Sequence, residues 1–543
     1  MFSPEGSSTA EATAARCLMC SVGCPVRVSR VGPDQYVPDY VSRAGYAGLC
    51  GRGSVLVELL DHPDRLRRAR RGIGDAARTV SVKDAARGMA ESLRRADSGV
   101  VVADGNLDLD SLAAVGRFAR EAGARWTVYV PAGDAGLVHG LDASGAPLVG
   151  PDALADADAV LFVGDVFAVA PVAAHWIFEA RDANPRMRRL VLAGGDTATA
   201  KFATAQFEPP LETAGVASAL AAVRSGRTDG LPDDAAALAA WKDQLRSADR
   251  PAIVVTAELG YADGRALADE VAALAAETGA RLCPITACGN AWGAMRAASA
   301  GGGACPAEIL RTGADVVLAV GCDLLPAYGA TIGSSLLDGA EEAVYVGPMA
   351  SRTAERASLV IPVAFTFETA GRALLGPDRL VEFEPLMRPP AGVPTVAEIL
   401  EMAGTPGEGP ADVSAPCEAP VLADAVGGRA RDCKGIVVAP ASDAVHFDDG
   451  SVTGRAAWPQ AVRPRAVLAL AASDAEAAGL SEGHAAVLEG PGGSAEVSVV
   501  VRPGQRAGQG WVSRGFAEVR DAFGWSWDGP RPGEPVCMGV RKA

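Results

Sequence analysis

Three cysteines stand within eight residues, Cys17-Leu-Met-Cys20-Ser-Val-Gly-Cys24, and a fourth, Cys50, follows after 50 − 24 − 1 = 25 residues. This C-x2-C-x3-C grouping with one distant partner constrains the fold more than any other feature of the chain. Four thiolates so spaced suit a cubane [4Fe–4S] cluster. One tight loop, relaxed by Gly23, wraps three corners, and Cys50 closes the last. Structural zinc sites usually pair two separated C-x2-C units, so the three-plus-one pattern favours iron–sulfur over zinc. Cys17, Cys20, Cys24 and Cys50 are the expected ligands.

The rest of the chain must bury a large core, and its composition permits that. Of 543 residues, 49% are hydrophobic and 21% charged, ordinary globular proportions that exclude disorder. At about 150 residues per domain the length suggests roughly three or four domains. The 50 Lys and Arg against 66 Asp and Glu leave a net charge of −16, which opposes binding to nucleic acid or an anionic membrane. No apolar run approaches the length of about 18 residues that spans a bilayer. The opening stretch, MFSPEGSSTAEATAAR, lacks the basic region, apolar core or twin arginine of an export signal. The expectation is a cytoplasmic chain without membrane insertion, where disulfides are rare. Cys283, Cys288, Cys305, Cys322, Cys417, Cys433 and Cys537 show no ligand spacing and read as buried small apolar residues.

Organisation changes three times along the sequence. Residues 1–72 carry the cysteines and end in the basic run Arg65-Leu66-Arg67-Arg68-Ala69-Arg70-Arg71. Residues 73–402 alternate helix-length amphipathic segments (82–95, 111–122) with short apolar runs at 99–103, 126–130, 159–163, 190–193, 252–255, 315–320 and 343–346. That alternation indicates βαβ units and buried parallel sheets. Ala157-Asp-Ala-Val-Leu-Phe-Val-Gly164-Asp165 echoes Ala314-Asp-Val-Val-Leu-Ala-Val-Gly321-Cys322-Asp323. Each copy is a strand ending in a Gly turn, where open α/β sheets bind ligands, so two related doubly wound halves are expected. Residues 403–432 form a Pro/Gly/Ala-rich linker. Residues 433–543 read as a small β-barrel, with a Ser473-Asp-Ala-Glu476 capping box, a helix stop at Gly479, and a hairpin through Pro491-Gly-Gly493.

The run Leu49-Cys50-Gly51-Arg52-Gly53, followed by Asp61-His-Pro-Asp-Arg-Leu66, resembles the N-terminal domain of the molybdopterin oxidoreductases. These are formate dehydrogenase-like enzymes with a molybdenum- or tungsten-bis(pterin guanine dinucleotide) centre. Family members commonly place a Lys between cluster and pterin, two residues after the fourth cysteine; Arg52 stands there and keeps the charge, which implies an electron-transfer role. Asn290-Ala-Trp-Gly293-Ala294 is similar to the family's Asn-x-x-Gly-Ala turn, and Thr353-Ala-Glu-Arg-Ala-Ser-Leu-Val-Ile-Pro362 with Glu368-Thr-Ala-Gly371 is similar to its "TAxxADVVLP … E-x-x-G" stretch. Residues 462–493 look like its C-terminal dinucleotide-binding barrel. The resemblance implies cofactor contacts at Thr197, Asn290, Gly293 and Thr353.

Departures fall on the pterin and catalytic positions. The family's "DPRRT" turn reads Ala193-Gly-Gly-Asp-Thr197 here, its "GxNP" turn reads Gly164-Asp165-Val166-Phe167 or Gly321-Cys322-Asp323-Leu324, and the Asp before its "TETA" is Gly347. No cysteine lies between Cys50 and Cys283 to bind the metal. Asp142 and Ser144 are the alternatives there, within a stretch (134–144) that reads as a plain surface loop, with His139 as a loop histidine. The large iron–sulfur subunit of respiratory complex I resembles the same family and carries clusters without a working pterin centre. The expected cofactor is therefore one [4Fe–4S] cluster, with molybdopterin guanine dinucleotide as the alternative. The expected function is an electron relay in a hetero-oligomer with other redox subunits. An active Mo/W oxidoreductase and a non-redox assembly protein with a structural metal are the other readings.

Overall fold

The computed structural model describes residues 15–32, 35–40, 48–195, 197–211, 215–405, 413–417 and 433–543. Most of the expected linker at 403–432 lies outside the described residues, as does Asp196. The chain enters through a three-stranded antiparallel sheet, β1 (Ala15–Arg16), β2 (Pro25–Gly32) and β3 (Gln35–Tyr40). The cysteine loop joins β1 to β2.

Two sheets built largely of parallel strands follow, and they are interleaved rather than consecutive. β4 (Ala69–Arg71), β5 (Arg78–Val80), β6 (Gly99–Asp104) and β7 (Arg125–Tyr129) begin one sheet. The chain then leaves to build a five-stranded parallel sheet from β8 (Ala159–Val163), β9 (Arg188–Leu192), β10 (Ala205–Phe207), β11 (Pro251–Val255) and β12 (Arg281–Pro284). It returns with β13 (Val316–Val320), β14 (Glu342–Gly347) and β15 (Leu359–Pro362) to complete a seven-stranded sheet in the order β5-β4-β15-β14-β13-β6-β7. The echoed strands are β8, central in its sheet, and β13, interior in the other, each buried along all five residues and paired in parallel on both sides. Burial on both faces demands an unbroken apolar run, which is why these two strands read so alike in sequence.

After a hairpin, β16 (Gly371–Leu374) and β17 (Leu380–Phe383), six strands close the C-terminal barrel. They are β18 (Ile436–Ala441), β19 (Ala466–Leu470), β20 (Ala485–Gly490), β21 (Gly493–Val501), β22 (Gln509–Ser513) and β23 (Val536–Lys542), in the order β18-β22-β19-β21-β20-β23. The β20–β21 hairpin turns where the sequence places it.

Three expectations are corrected. The capping box at Ser473 does not form, because the helix Ala472–Ala477 starts one residue earlier, with Ala471 as an uncapped N-terminus. Cys433 and Cys537 are disulfide-bonded, with Cα atoms 5.6 Å apart; Cys537 pairs with Val437 in the β18–β23 ladder, which draws the chain just before β18 alongside it. The stretch read as a surface loop is a helix, Ala132–Ser144. Its glycines let it lie directly on the helix Tyr261–Thr278: a Cβ at Gly136 would sit 2.1 Å from the Tyr261 carbonyl oxygen, and one at Gly140 2.3 Å from the Ala268 methyl. No helix among the described residues is long and apolar enough to cross a membrane.

Candidate cluster site and the crevices of the two sheets

The Cys17–Cys24 loop closes on itself: the Cys17 N–H donates to the Cys24 carbonyl (3.0 Å) and the Gly23 N–H to the Cys20 carbonyl (3.2 Å), with Gly23 at φ +66°. Only glycine holds that conformation without strain. The loop docks on the turn after β12, where the Ser21 N–H donates to the Thr286 carbonyl (3.0 Å), the Thr286 N–H to Ser21 Oγ (2.9 Å), and the Gly289 N–H to the Leu18 carbonyl (3.0 Å). Cys50 arrives from the other side as the N-terminal cap residue of the short helix Gly51–Ser54. All four thiols are free, and together they line one small cavity with Leu49, Arg52, Gly53 and residues 170–172. Cys17, Cys20 and Cys24 are buried; Cys50 is half-buried.

Burial pushes the Cys17 thiol up to about 12 and the Cys20 thiol to about 11, and raises Cys24 well above its ordinary value, with the neighbouring cysteines adding to the shift. Arg52 pulls the other way on Cys17 and Cys20. Its side chain is 2% exposed, and its Nη2 donates to the carbonyls of Val169 and Ala168 (3.4 Å for the latter). Its Nε–H is buried without a hydrogen-bond partner. A buried guanidinium is stable only against a counter-charge. Four thiolates around a cluster, net negative, supply one, and the spare Nε–H is a donor for sulfur. Among the described residues no three His, Cys, Asp or Glu side chains converge tightly enough for a single metal ion, which would need thiolates at about 2.3 Å from one point. In donor chemistry, four free thiols beside a buried cation match what a [4Fe–4S] cluster takes.

The two sheets carry matching devices at their carboxyl ends. After β8, Asp165 Oδ1 accepts from the N–H (3.0 Å) and hydroxyl (2.7 Å) of Thr199, whose Oγ1 accepts from the Phe167 N–H (2.9 Å). After β13, Asp323 Oδ1 accepts from the N–H (2.9 Å) and hydroxyl (2.7 Å) of Thr353, whose Oγ1 accepts from the Leu324 N–H (2.8 Å). The echo thus extends from strand composition to individual hydrogen bonds. Thr199 is the counterpart of Thr353, and sequence reading missed it; the shared Thr two residues past Thr197 and Ser351 is the signal. Thr197 itself caps Ala200 (3.2 Å), as Ser351 caps Ala354 (3.0 Å). Asn290 is fully engaged: its Nδ2 donates to the Leu107 carbonyl (2.7 Å) and its Oδ1 accepts from Leu374 (2.8 Å). Gly293 lies so close beneath it that a Cβ would meet Asn290 Oδ1 at 2.2 Å.

Pyrophosphate binding at such turns depends on free N–H groups and positive charge. Here the N–H groups of Ala198, Thr199, Arg352 and Thr353 already go to the Asp165 and Asp323 carboxylates. The Gly194–Gly195 turn is covered by the barrel, where Cβ atoms would come within 2.8 Å of Trp511 and 2.7 Å of Gln505. The second crevice opens on a cavity walled by Asp104, Asp323, Asp448 and Asp449 against Arg16 and Arg455. Burial pushes the Asp104 carboxyl up to about 7, and burial with Asp448 pushes Asp449 to about 6. The pyrophosphate arms of a dinucleotide do not fit these turns. Asp142 is no better placed as a metal ligand: both its oxygens take the Arg296 guanidinium (3.0 and 2.8 Å) and one also accepts from the Cys417 N–H. Ser144 Oγ donates to the Leu141 carbonyl, and His139 shares a hydrogen bond with the Tyr261 hydroxyl.

No family model matches the chain, and no curated protein is similar to it at a significant level. Among solved structures, it is similar to acetylene hydratase from Pelobacter acetylenicus, with a TM-score of 0.70 over 98% of this chain and 100% of that one, at 13% identity. At that identity the likeness shows the fold alone, shared over nearly the whole length of both chains.

Proposed function

We propose that this chain is an iron–sulfur electron relay on a molybdopterin oxidoreductase-like scaffold. The observation that carries this reading is the cavity lined by four free cysteines beside a buried Arg52. A [4Fe–4S] cluster there would supply one-electron redox chemistry. Cys17, Cys20, Cys24 and Cys50 would hold it, and Arg52 would offset its negative charge. The half-buried Cys50 lies on the side from which electrons would exchange with a partner redox subunit. Metal content tests the reading. Protein purified without oxygen, from cells supplied with iron, molybdenum and tungsten, should hold about four Fe per chain and neither heavy metal. Zinc in place of iron would end it.

A second reading, a working Mo/W oxidoreductase, draws on the full-length likeness to acetylene hydratase. Stoichiometric Mo or W in the same analysis would establish it over the relay.

The role of Arg52 has its own measurement. Removing a positive charge disfavours the more negative reduced cluster, so Arg52→Gln should lower the midpoint potential. One unit charge at a few ångströms and an effective dielectric of about 20 corresponds to a drop on the order of 100 mV. A redox titration followed by absorbance or paramagnetic resonance reads it; an unchanged potential would leave Arg52 a purely structural residue.

A further inference from the structure

An aromatic-walled cavity lies away from the four-cysteine site, at the carboxyl ends of β7 and β11, under the barrel. It has a volume of about 440 Å³, the size class of small-molecule sites. Five aromatic side chains wall it, Tyr129, Tyr261, Tyr328, Trp525 and Trp527, in a chain only 5% aromatic. The Tyr328 ring stands edge-on to Tyr129 (5.3 Å between centroids) and 6.4 Å from Trp527, so the wall is continuous. The mouth opens past the exposed Ala262 and Asp269.

The polar groups of this wall are unbalanced. Its buried carboxylates are used. Asp448 accepts from Arg520 (2.7 Å) and Tyr129 (3.0 Å), and Glu258 accepts from the N–H groups of Ser442 (2.9 Å) and Asp165 (3.3 Å). The buried atoms left without hydrogen-bond partners can all donate: Tyr328 Oη, Trp527 Nε1, Arg514 Nε and Arg265 Nη1, the last 3.3 Å from Asp269 Oδ1 at the rim. Tyr328 is 5% exposed and Arg514 8%. An unsatisfied buried donor costs free energy, so a ligand that brings acceptors is favoured there over one that brings donors.

We propose that this cavity binds a small aromatic carboxylic acid, its ring against the aromatic wall and its carboxylate facing Tyr328, Trp527 and Arg514. The inference does not depend on the cluster and holds whether or not iron is bound. Benzoate is the probe, titrated calorimetrically into the full chain, with toluene as the ring without the acceptor. One benzoate should bind per chain, and toluene should bind at least about tenfold more weakly, the size of one hydrogen bond to a charged acceptor. Tyr328→Phe removes one donor and keeps its ring, and should weaken benzoate about tenfold without changing toluene binding; Trp527→Phe also removes one donor but trades the indole for a smaller ring, and should weaken benzoate more than it weakens toluene. Two variants guard against one misfolding, which circular dichroism would show. No benzoate heat up to about 10 mM, or benzoate affinity unchanged in both folded variants, would overturn the proposal, and neither result bears on metal content.

Discussion

Cys17→Ser combined with Cys20→Ser is expected to take iron from about four atoms per chain to none and to abolish the brown absorbance of the purified protein. The two residues stand on one loop turn with Cys24, so removing both leaves two thiols on opposite sides of the cavity, too few to hold a cubane. Serine keeps the size of the side chain but offers an alcohol where a thiolate is required. The wild-type thiols sit buried and raised, Cys17 to about 12 and Cys20 to about 11, so binding iron must displace their protons. Cluster reconstitution should accordingly run further as pH rises. The α/β core should survive the double substitution, because the loop docks on residues 286–289 through backbone groups and Ser21 rather than through the replaced thiols. A variant that still carried four irons would refute the ligand assignment, whatever its stability.

The cysteine loop was legible as a loop because its geometry is local: three cysteines and a glycine at φ +66° fit within eight residues. The interior strands β8 and β13 were legible for a related reason, since burial on both faces writes itself as an uninterrupted apolar run. Their sheet assignment was not. Nothing in composition says that β6 pairs with β13, more than two hundred residues on, with β7 outside it at the edge, while β8 to β12 close a sheet between them. The helix Ala132–Ser144 was hidden by its own packing. Gly133 and Gly136 face backbone atoms of the partner segment and Gly140 the Ala268 methyl, so no amphipathic stripe marks it, and a run rich in glycine reads as a loop. The Cys433–Cys537 bond spans 104 residues and follows from strand pairing that no spacing rule contains. At the crevices, the sequence showed which family residues were missing but not what stands there instead, a carboxylate–threonine clasp repeated in both sheets.

Arg520→Ala should cost about 3–5 kcal/mol of stability, the range for breaking a buried ion pair from one side. Arg520 is 3% exposed and fastens three parts of the molecule. Its Nε donates to the Arg514 carbonyl (2.9 Å) within the barrel, its Nη1 to the Pro326 carbonyl (2.8 Å) beside the seven-stranded sheet, and its Nη2 to Asp448 (2.7 Å). Burial works against the Asp448 charge, and Arg520 and Arg514 outweigh it, holding the carboxyl below its ordinary range. Without Arg520 that balance reverses, and Asp448 is left buried beside Asp449. A carboxyl whose folded pKa is raised above its unfolded value contributes stability that is present at low pH and is lost as pH climbs through the folded pKa. The penalty of Arg520→Ala should therefore be larger at about pH 8 than at about pH 5, whereas a lost surface contact would give a small penalty that is nearly the same at both. Adding Asp448→Asn removes the orphaned charge and should recover part of the loss, since neighbours in one network do not add. Urea midpoints of the wild type and the two variants at both pH values decide it. Equal penalties at the two pH values, with no recovery in the double variant, would mean that Arg520 acts by packing alone.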